Sequence, residues 1–163
     1  MKPVYANINV ATGAHIAGIC KIQVVAREWL ESPLVIDFNT GKVTTAVDLV
    51  AGKSFLELNF TQDSYEFIEK PKSSKSGDYF ETNISGLVND LDSTMLQQLE
   101  TWRHHQLVAI VTDRKKRMRI CGNIDHGLNF IFSIKNVNAQ NGLYQISIDM
   151  EIQTDAAAPF YEV

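Results

Sequence analysis

From Tyr144 to Ile152 the side chains alternate without a break. Tyr144, Ile146, Ile148, Met150 and Ile152 face one way, and Gln145, Ser147, Asp149 and Glu151 face the other. A period of two sustained over such a length suits one element, a strand with one face buried and one face wet, because successive strand side chains point to opposite sides. The chain is therefore committed to a sheet with a covered face.

Shorter segments repeat the signature. Cys20, Ile22 and Val24 alternate with Lys21 and Gln23, and Leu56, Leu58 and Phe60 alternate with Glu57 and Asn59. Leu34-Val35-Ile36-Asp37-Phe38 runs into Asn39-Thr40-Gly41-Lys42 and out through Val43 to Val47, which predicts a hairpin about a Gly-containing turn. Ser64 to Glu69 and Tyr79 to Leu87 bracket the polar stretch Lys70 to Asp78, which reads as the mobile tip of a protruding hairpin, 64–87. Leu107-Val108-Ala109-Ile110-Val111 is unbroken and apolar, as expected of a strand covered on both faces. A turn at Asp113 to Lys116 leads into Arg117 to Cys121, and a loop ending in Asn141-Gly142 joins Leu128–Ile134 to Leu143–Ile152. The tail from 153 to 163, with Ala156-Ala157-Ala158-Pro159-Phe160-Tyr161, is expected to leave the sheet.

One segment has helical period. Leu91, Met95, Leu99 and Trp102 share a face opposite Gln97, Gln98, Glu100 and Arg103, which predicts a helix over about 92–105, with Asp92 or Ser93 as N-cap. The order is then roughly six to nine strands, one helix, and four strands. That order describes a single mainly β (α+β) domain, 1–163, an antiparallel β-barrel or sandwich with one flanking helix.

Composition removes several classes. At 45% hydrophobic and a net charge of -4 the chain is not disordered. No apolar stretch approaches the roughly 20 residues of a spanning helix, so no membrane is expected. The opening Met1-Lys2-Pro3-Val4-Tyr5-Ala6-Asn7 lacks a signal-peptide core, and Cys20 and Cys121 read as buried thiols of a reducing compartment.

Candidates for chemistry are few. Of the four histidines, His15, His104, His105 and His126, the adjacent pair His104-His105 points apart on a helix, so the two do not bind one metal from one face and read as solvated residues at a helix end. Asp125-His126-Gly127 reads as a turn. No Gly-rich phosphate loop and no recognisable carboxylate pair occurs, so neither an enzyme nor a cofactor or metal is expected.

Two features remain. Arg114, Lys115, Lys116, Arg117 and Arg119 are five of the fifteen Lys and Arg, set against an acidic remainder. They could meet nucleic-acid phosphates or a partner's acidic surface, or could be a solvated turn. The hairpin carries Tyr65, Phe67, Tyr79 and Phe80 on its arms and Lys70, Lys72 and Lys75 near its tip. A lone ribbon is marginal in water, so these aromatics need a surface, either the domain's own core or, as slightly favoured, a neighbouring copy.

The layout resembles the tube and ring proteins of tailed bacteriophages and related contractile systems. The stretches Leu107–Asp113, Arg117–Gly122, Gly127–Phe130, Tyr144–Ile152 and Ala158–Tyr161 are similar to small tail and neck proteins of phages infecting Bacteroides-type hosts. The resemblance implies a virion structural protein assembled in the host cytoplasm, a homo-oligomeric ring of hexameric or higher order. Its partners would be other tail, neck or portal proteins, and genome DNA would pass through its lumen without sequence-specific binding. It implies no catalytic residues, and it puts Arg114 to Arg119 at a subunit or ring interface, because a lumen that lets DNA slide is acidic. The alternative is a nucleic-acid-binding β-barrel using the turn 114–119, with Phe130, Phe132 or Tyr144 as stacking platforms.

Overall fold

The computed structural model describes residues 18–60, 64–89, 93–136 and 144–163. His15, Leu91, Asp92 and Asn141-Gly142 lie outside them. Among the described residues five strands precede the helix: β1 (Ile19–Ala26), β2 (Lys42–Val43), β3 (Leu56–Leu58), β4 (Glu66–Ser74) and β5 (Gly77–Asn89). Helix α1 (Ser93–Arg103) follows, then β6 (Gln106–Asp113), β7 (Met118–Cys121), β8 (Leu128–Asn136), β9 (Tyr144–Thr154) and β10 (Phe160–Tyr161). The balance among the described residues is thus five and five, with fewer strands before the helix and more after it than the alternation suggests.

β6 is the branching element. One of its edges pairs with β1 along Leu107 to Asp113. The other pairs with β7 from Ala109 to Thr112 and with β8 only at Gln106 and Leu107. From that fork one layer runs β3-β1-β6-β7-β10-β2, and a second runs β8-β9-β5-β4. All pairings are antiparallel except β10 with β2. The layers face each other as a sandwich, and among the described residues β2, β3 and β4 leave free edges, so no barrel closes.

Two cores result. Ile22, Val24, Leu107, Ala109 and Val111 of the first layer meet Ile84, Phe130, Ile146, Ile148, Met150 and Ile152 of the second. The β9 alternation is thereby accounted for from Ile146 to Ile152. Val25, Val108, Ile110 and Ile120 turn the other way, against Leu30, Val43, Leu49 and Phe55 of the covering segment 27–55. The unbroken run 107–111 is apolar because β6 has a core on each side. Leu99 is buried, and Met95 and Trp102 pack on the first core, so α1 buries its expected face.

Glycine makes the fork possible. A Cβ on Gly127 would stand 2.9 Å from the Leu107 carbonyl oxygen, and one on Gly122 would stand 3.0 Å from the same atom. Gly122 also sits at φ 95, a left-handed backbone that a side chain disfavours. β7 can therefore leave β6, and β8 can arrive, on either side of one carbonyl.

Three expectations are corrected. Residues 34–47 do not form a hairpin: the only strand there is Lys42–Val43, because Asp37 folds the chain into a local turn and the flanks lie as cover over the second core. The stretch Lys70 to Asp78 is not a mobile loop. Its ladder runs to Ser74↔Gly77, leaving only Lys75-Ser76 as the turn, and the tip extends past Phe80↔Thr154, where pairing with β9 stops. The tail does not leave the sheet, since β10 inserts between β7 and β2.

A Cβ on Gly86 would stand 2.0 Å from the ring of Phe60, which itself packs at a tilt against Tyr65 with ring centroids 5.2 Å apart. Gly86→Ala is expected to destabilise the fold by about 1–3 kcal/mol through overpacking. Urea titration should show the loss, and Phe60→Leu in the same chain should recover part of it.

Candidate functional site

The basic run divides in two. Its first part is the β6–β7 turn, organised by Asp113. The Asp113 Oδ1 accepts the backbone N–H of Lys115 (2.8 Å) and of Arg117 (3.0 Å), and Oδ2 accepts the Arg117 Nε–H at 2.8 Å. The Lys116 N–H donates to the Asp113 carbonyl, and Lys116 takes φ 65 to close the turn. The carboxylate that so many cations call for is thus supplied by the residue just before them. Partial burial works against the Asp113 charge, but the Arg117 N–H, the Arg117 guanidinium and the Lys115 N–H outweigh it and hold its carboxyl below the ordinary range. Arg114 donates its N–H to the Gly18 carbonyl and its side chain lies beside that glycine.

Arg119 belongs elsewhere. Its Nε and Nη2 both donate to the Ala158 carbonyl, at 3.0 and 2.7 Å, and Nη2 pairs with Glu69. The Glu69 Oε2 in turn accepts the Ala158 N–H at 3.1 Å. The guanidinium also lies over the rings of Phe67 (5.1 Å) and Phe160 (5.7 Å). A clamp therefore joins β4, β7 and the tail, and both backbone groups of Ala158 are satisfied by side chains. Arg119 is thus a staple within the subunit, set apart from the turn 114–117 by what it holds together.

The hairpin aromatics divide likewise. Tyr65 and Phe67 pack on the domain's own core, and the Tyr65 hydroxyl accepts the Phe60 N–H and donates to the Leu58 carbonyl. The slight preference for a neighbouring copy is corrected for these two. Tyr79 and Phe80 are half-buried near the tip, while Lys70, Lys72 and Lys75 are exposed, Lys72 being paired with Glu81 at 3.6 Å. β4 is an edge strand carrying Pro71, which cannot donate to a further ladder.

The stacking platforms do not stand at the turn. Phe130 is buried in the first core with Phe132 half-buried beside it, and β8 meets β6 at the end opposite Asp113. The Tyr144 side chain lies outside the described part of the structure. Cys121 is buried, and burial, reinforced by Glu69 and opposed by Arg119, pushes its thiol up to about 12, leaving it protonated and inert at neutral pH. Cys20, expected to be buried, is exposed, with its thiol donating to the Asp113 carbonyl. His104 is exposed past the helix end, and His105 meets Glu28 and the edge of Trp102. Asn123 and His126 exchange backbone hydrogen bonds, so 125–127 is a turn as expected, and His126 Nε2 reaches the Gln153 carbonyl. Among the described residues no cluster of metal-ligating side chains forms, and no helix is long and apolar enough to cross a membrane.

Sequence reasoning missed the Arg119–Glu69–Ala158 clamp. No spacing signals it, because its members are far apart in the chain and only the return of the tail unites them. Compared with known proteins, the chain matches no family model, no curated protein and no solved structure.

The Glu69 side chain is only 10% exposed, so removing its partner strands a nearly buried carboxylate. Arg119→Ala is expected to cost on the order of 2–4 kcal/mol and to speed amide exchange at Phe160 and Tyr161. Arg119→Lys should restore little, since an ammonium cannot reach the carbonyl and the carboxylate together. For Asp113 the folded carboxyl titrates below its unfolded value of about 3.9. Its contribution is therefore present above about pH 4 and is lost as pH falls through the folded value. Asp113→Asn should lower stability at pH 7 and flatten the acid limb of the stability profile, read by urea midpoints from pH 2 to 7.

Proposed function

We propose that the protein is a non-enzymatic structural subunit of a homo-oligomeric ring, one that forms part of the genome conduit in a bacteriophage tail or head–tail neck. The observation that carries this reading is the separation of charge between the outer face of the second layer and the β6–β7 turn. On the outer face of the second layer the central strands β5 and β9 carry Glu81, Asp149 and Glu151 and no cation, in a register that sets Asn83 against Glu151 and Ser85 against Asp149. Lys70, Lys72 and Lys135 stand on the flanking strands β4 and β8, with Lys72 paired to Glu81, so the unpaired acids near the centre of the face are Asp149 and Glu151. The cationic turn 114–117 lies at the far end of β6 from the fork. A surface of this sign repels phosphates and lets DNA slide, while the opposite sign at a distance gives adjoining copies a register.

Electron microscopy and light scattering test the reading. Annular particles or a multiple of the 18.3 kDa chain mass are expected at high concentration and low salt, whereas a strictly monomeric particle there overturns it. The charge assignment has its own test. Asp149→Lys with Glu151→Lys should leave assembly intact and confer salt-dependent DNA retention that the unaltered protein lacks. Steeply salt-dependent binding of single strands by the unaltered protein, lost on replacing Lys115, Lys116 and Arg117 together, would instead establish the nucleic-acid-binding alternative.

A further inference from the structure

The open edge of β4 divides into two halves. The hairpin closes on Ser74 and Gly77 with only Lys75 and Ser76 between them, so that pair is hydrogen-bonded in both directions. Alternation then turns the backbone groups of Lys72, Lys70, Ile68 and Glu66 toward β5, and those of Ser73, Pro71, Glu69 and Phe67 toward the open edge. Pro71 has no N–H and guards the tip half. The base half has no such guard: the N–H and C=O groups of Phe67 and Glu69 face outward without a partner among the described residues.

The side chains of this half form a pattern that is its own complement when reversed. Phe67 and Glu69 turn inward to Arg119, which leaves Glu66, Ile68 and Lys70 together on the outer face. Ile68 is half-buried, and Glu66 and Lys70 are exposed on either side of it. Lys70 lies opposite Glu81, but that carboxylate is paired with Lys72 at 3.6 Å. Glu66 and Lys70 are about 13 Å apart along the strand, so they do not neutralise each other within one chain.

We propose that β4 of one copy pairs antiparallel with β4 of a second copy about a two-fold axis at Ile68. In that register Phe67 and Glu69 of one chain exchange backbone hydrogen bonds with Glu69 and Phe67 of the other. Ile68 meets Ile68, and each Glu66 stands opposite a Lys70. Other registers lose one of these matches. An axis at Lys70 opposes the two lysines, and an axis at Glu69 sets Phe67 against Pro71, which cannot return the bond. An axis at Phe67 leaves Glu66 facing Ile68.

A second copy is favoured over a foreign strand because the match requires the same residues read in reverse. β2 and β3 span two and three residues and offer no comparable edge. The acidic centres of the two outer faces stay apart: β9 of one copy lies five strand spacings from β9 of the other, about 24 Å. That is more than twice the screening length of about 10 Å in 0.1 M salt. The inference does not rest on the ring reading, since a two-fold joint closes at a pair and can link two rings as it links two chains.

The test uses the full chain with charge reversals at these exposed positions, which should leave the melting temperature unchanged. Amide exchange at Phe67 and Glu69 is expected to slow as the concentration of the unaltered protein rises. In sedimentation, Glu66→Lys or Lys70→Glu alone should weaken self-association by on the order of tenfold, because both symmetry-related pairs become repulsive. An equal mixture of the two variants should recover it as a mixed dimer, and so should both substitutions placed in one chain. Concentration-independent exchange at Phe67 and Glu69, or single variants that neither weaken association nor complement each other, overturns the joint and leaves the ring reading standing. A chain that stays monomeric at every concentration overturns both.

Discussion

The architecture depends on how closely two segments approach the backbone of Leu107. A single carbonyl is flanked by Gly122, where β7 ends, and by Gly127, just before β8 begins. Any side chain at either position would press on peptide atoms that cannot rotate away. Because both are glycine, one edge of β6 serves two partners in succession, and the sheet divides at the point where a flat sheet would have continued. The division converts a ten-stranded surface into two layers that face each other. Both cores follow from it, since β6 has one of its faces in each.

A forked sheet is anchored at the fork and open at its other end. The Arg119 clamp lies there. β8 joins the first layer at Gln106 and Leu107, whereas β4, the last strand of the second layer, reaches β7 through Glu69 and Phe67. The second layer therefore lies across the first and is tied to it at both ends, by backbone pairing at one and by a guanidinium at the other. The tail takes part because Ala158 offers its N–H to Glu69 and its carbonyl to Arg119. A cation in a sequence run that looks solvated is thus spent inside the subunit.

What could be read in the chain was what periodicity reports. The β9 alternation, the doubly covered β6, the helix face of Met95, Leu99 and Trp102 and the turn after Asp113 all express local rules, and the structure keeps them. The parts that could not be read are set by contacts between distant segments. Leu34 to Phe38 has strand-like composition, yet no partner strand lies beside it, and the Asp37 carboxylate closes a turn first. Lys70 to Ser74 looks too polar for a strand, but an edge strand paired on one side needs no apolar face at its tip. Tyr161 and Phe160 follow Pro159 and three alanines, and nothing local reveals that β7 and β2 leave a slot between them. The candidate surfaces show the same division: the turn 114–117 was legible as a charge run, while Arg119 changed its role only through Ala158.

Charge and edges together limit how copies of such a sandwich can meet. Edge-to-edge pairing along β4 has to keep Pro71 out of the ladder and set a carboxylate against Lys70, which confines it to a register centred on Ile68. Face-to-face packing of the second layers would set Asp149 and Glu151 against their own kind, where like charges oppose association. Among the described surfaces, two are free of these obstacles: the basic turn, which an acidic face can meet, and the exposed side chains of Val35, Ile36 and Phe38, which apolar surface can meet. These two requirements are different in kind, one long-ranged and salt-sensitive, the other short-ranged and shape-dependent. An assembly that uses both gains orientation from the first before the second is engaged, so that subunits are aligned by charge at distances where a phenyl ring has no influence.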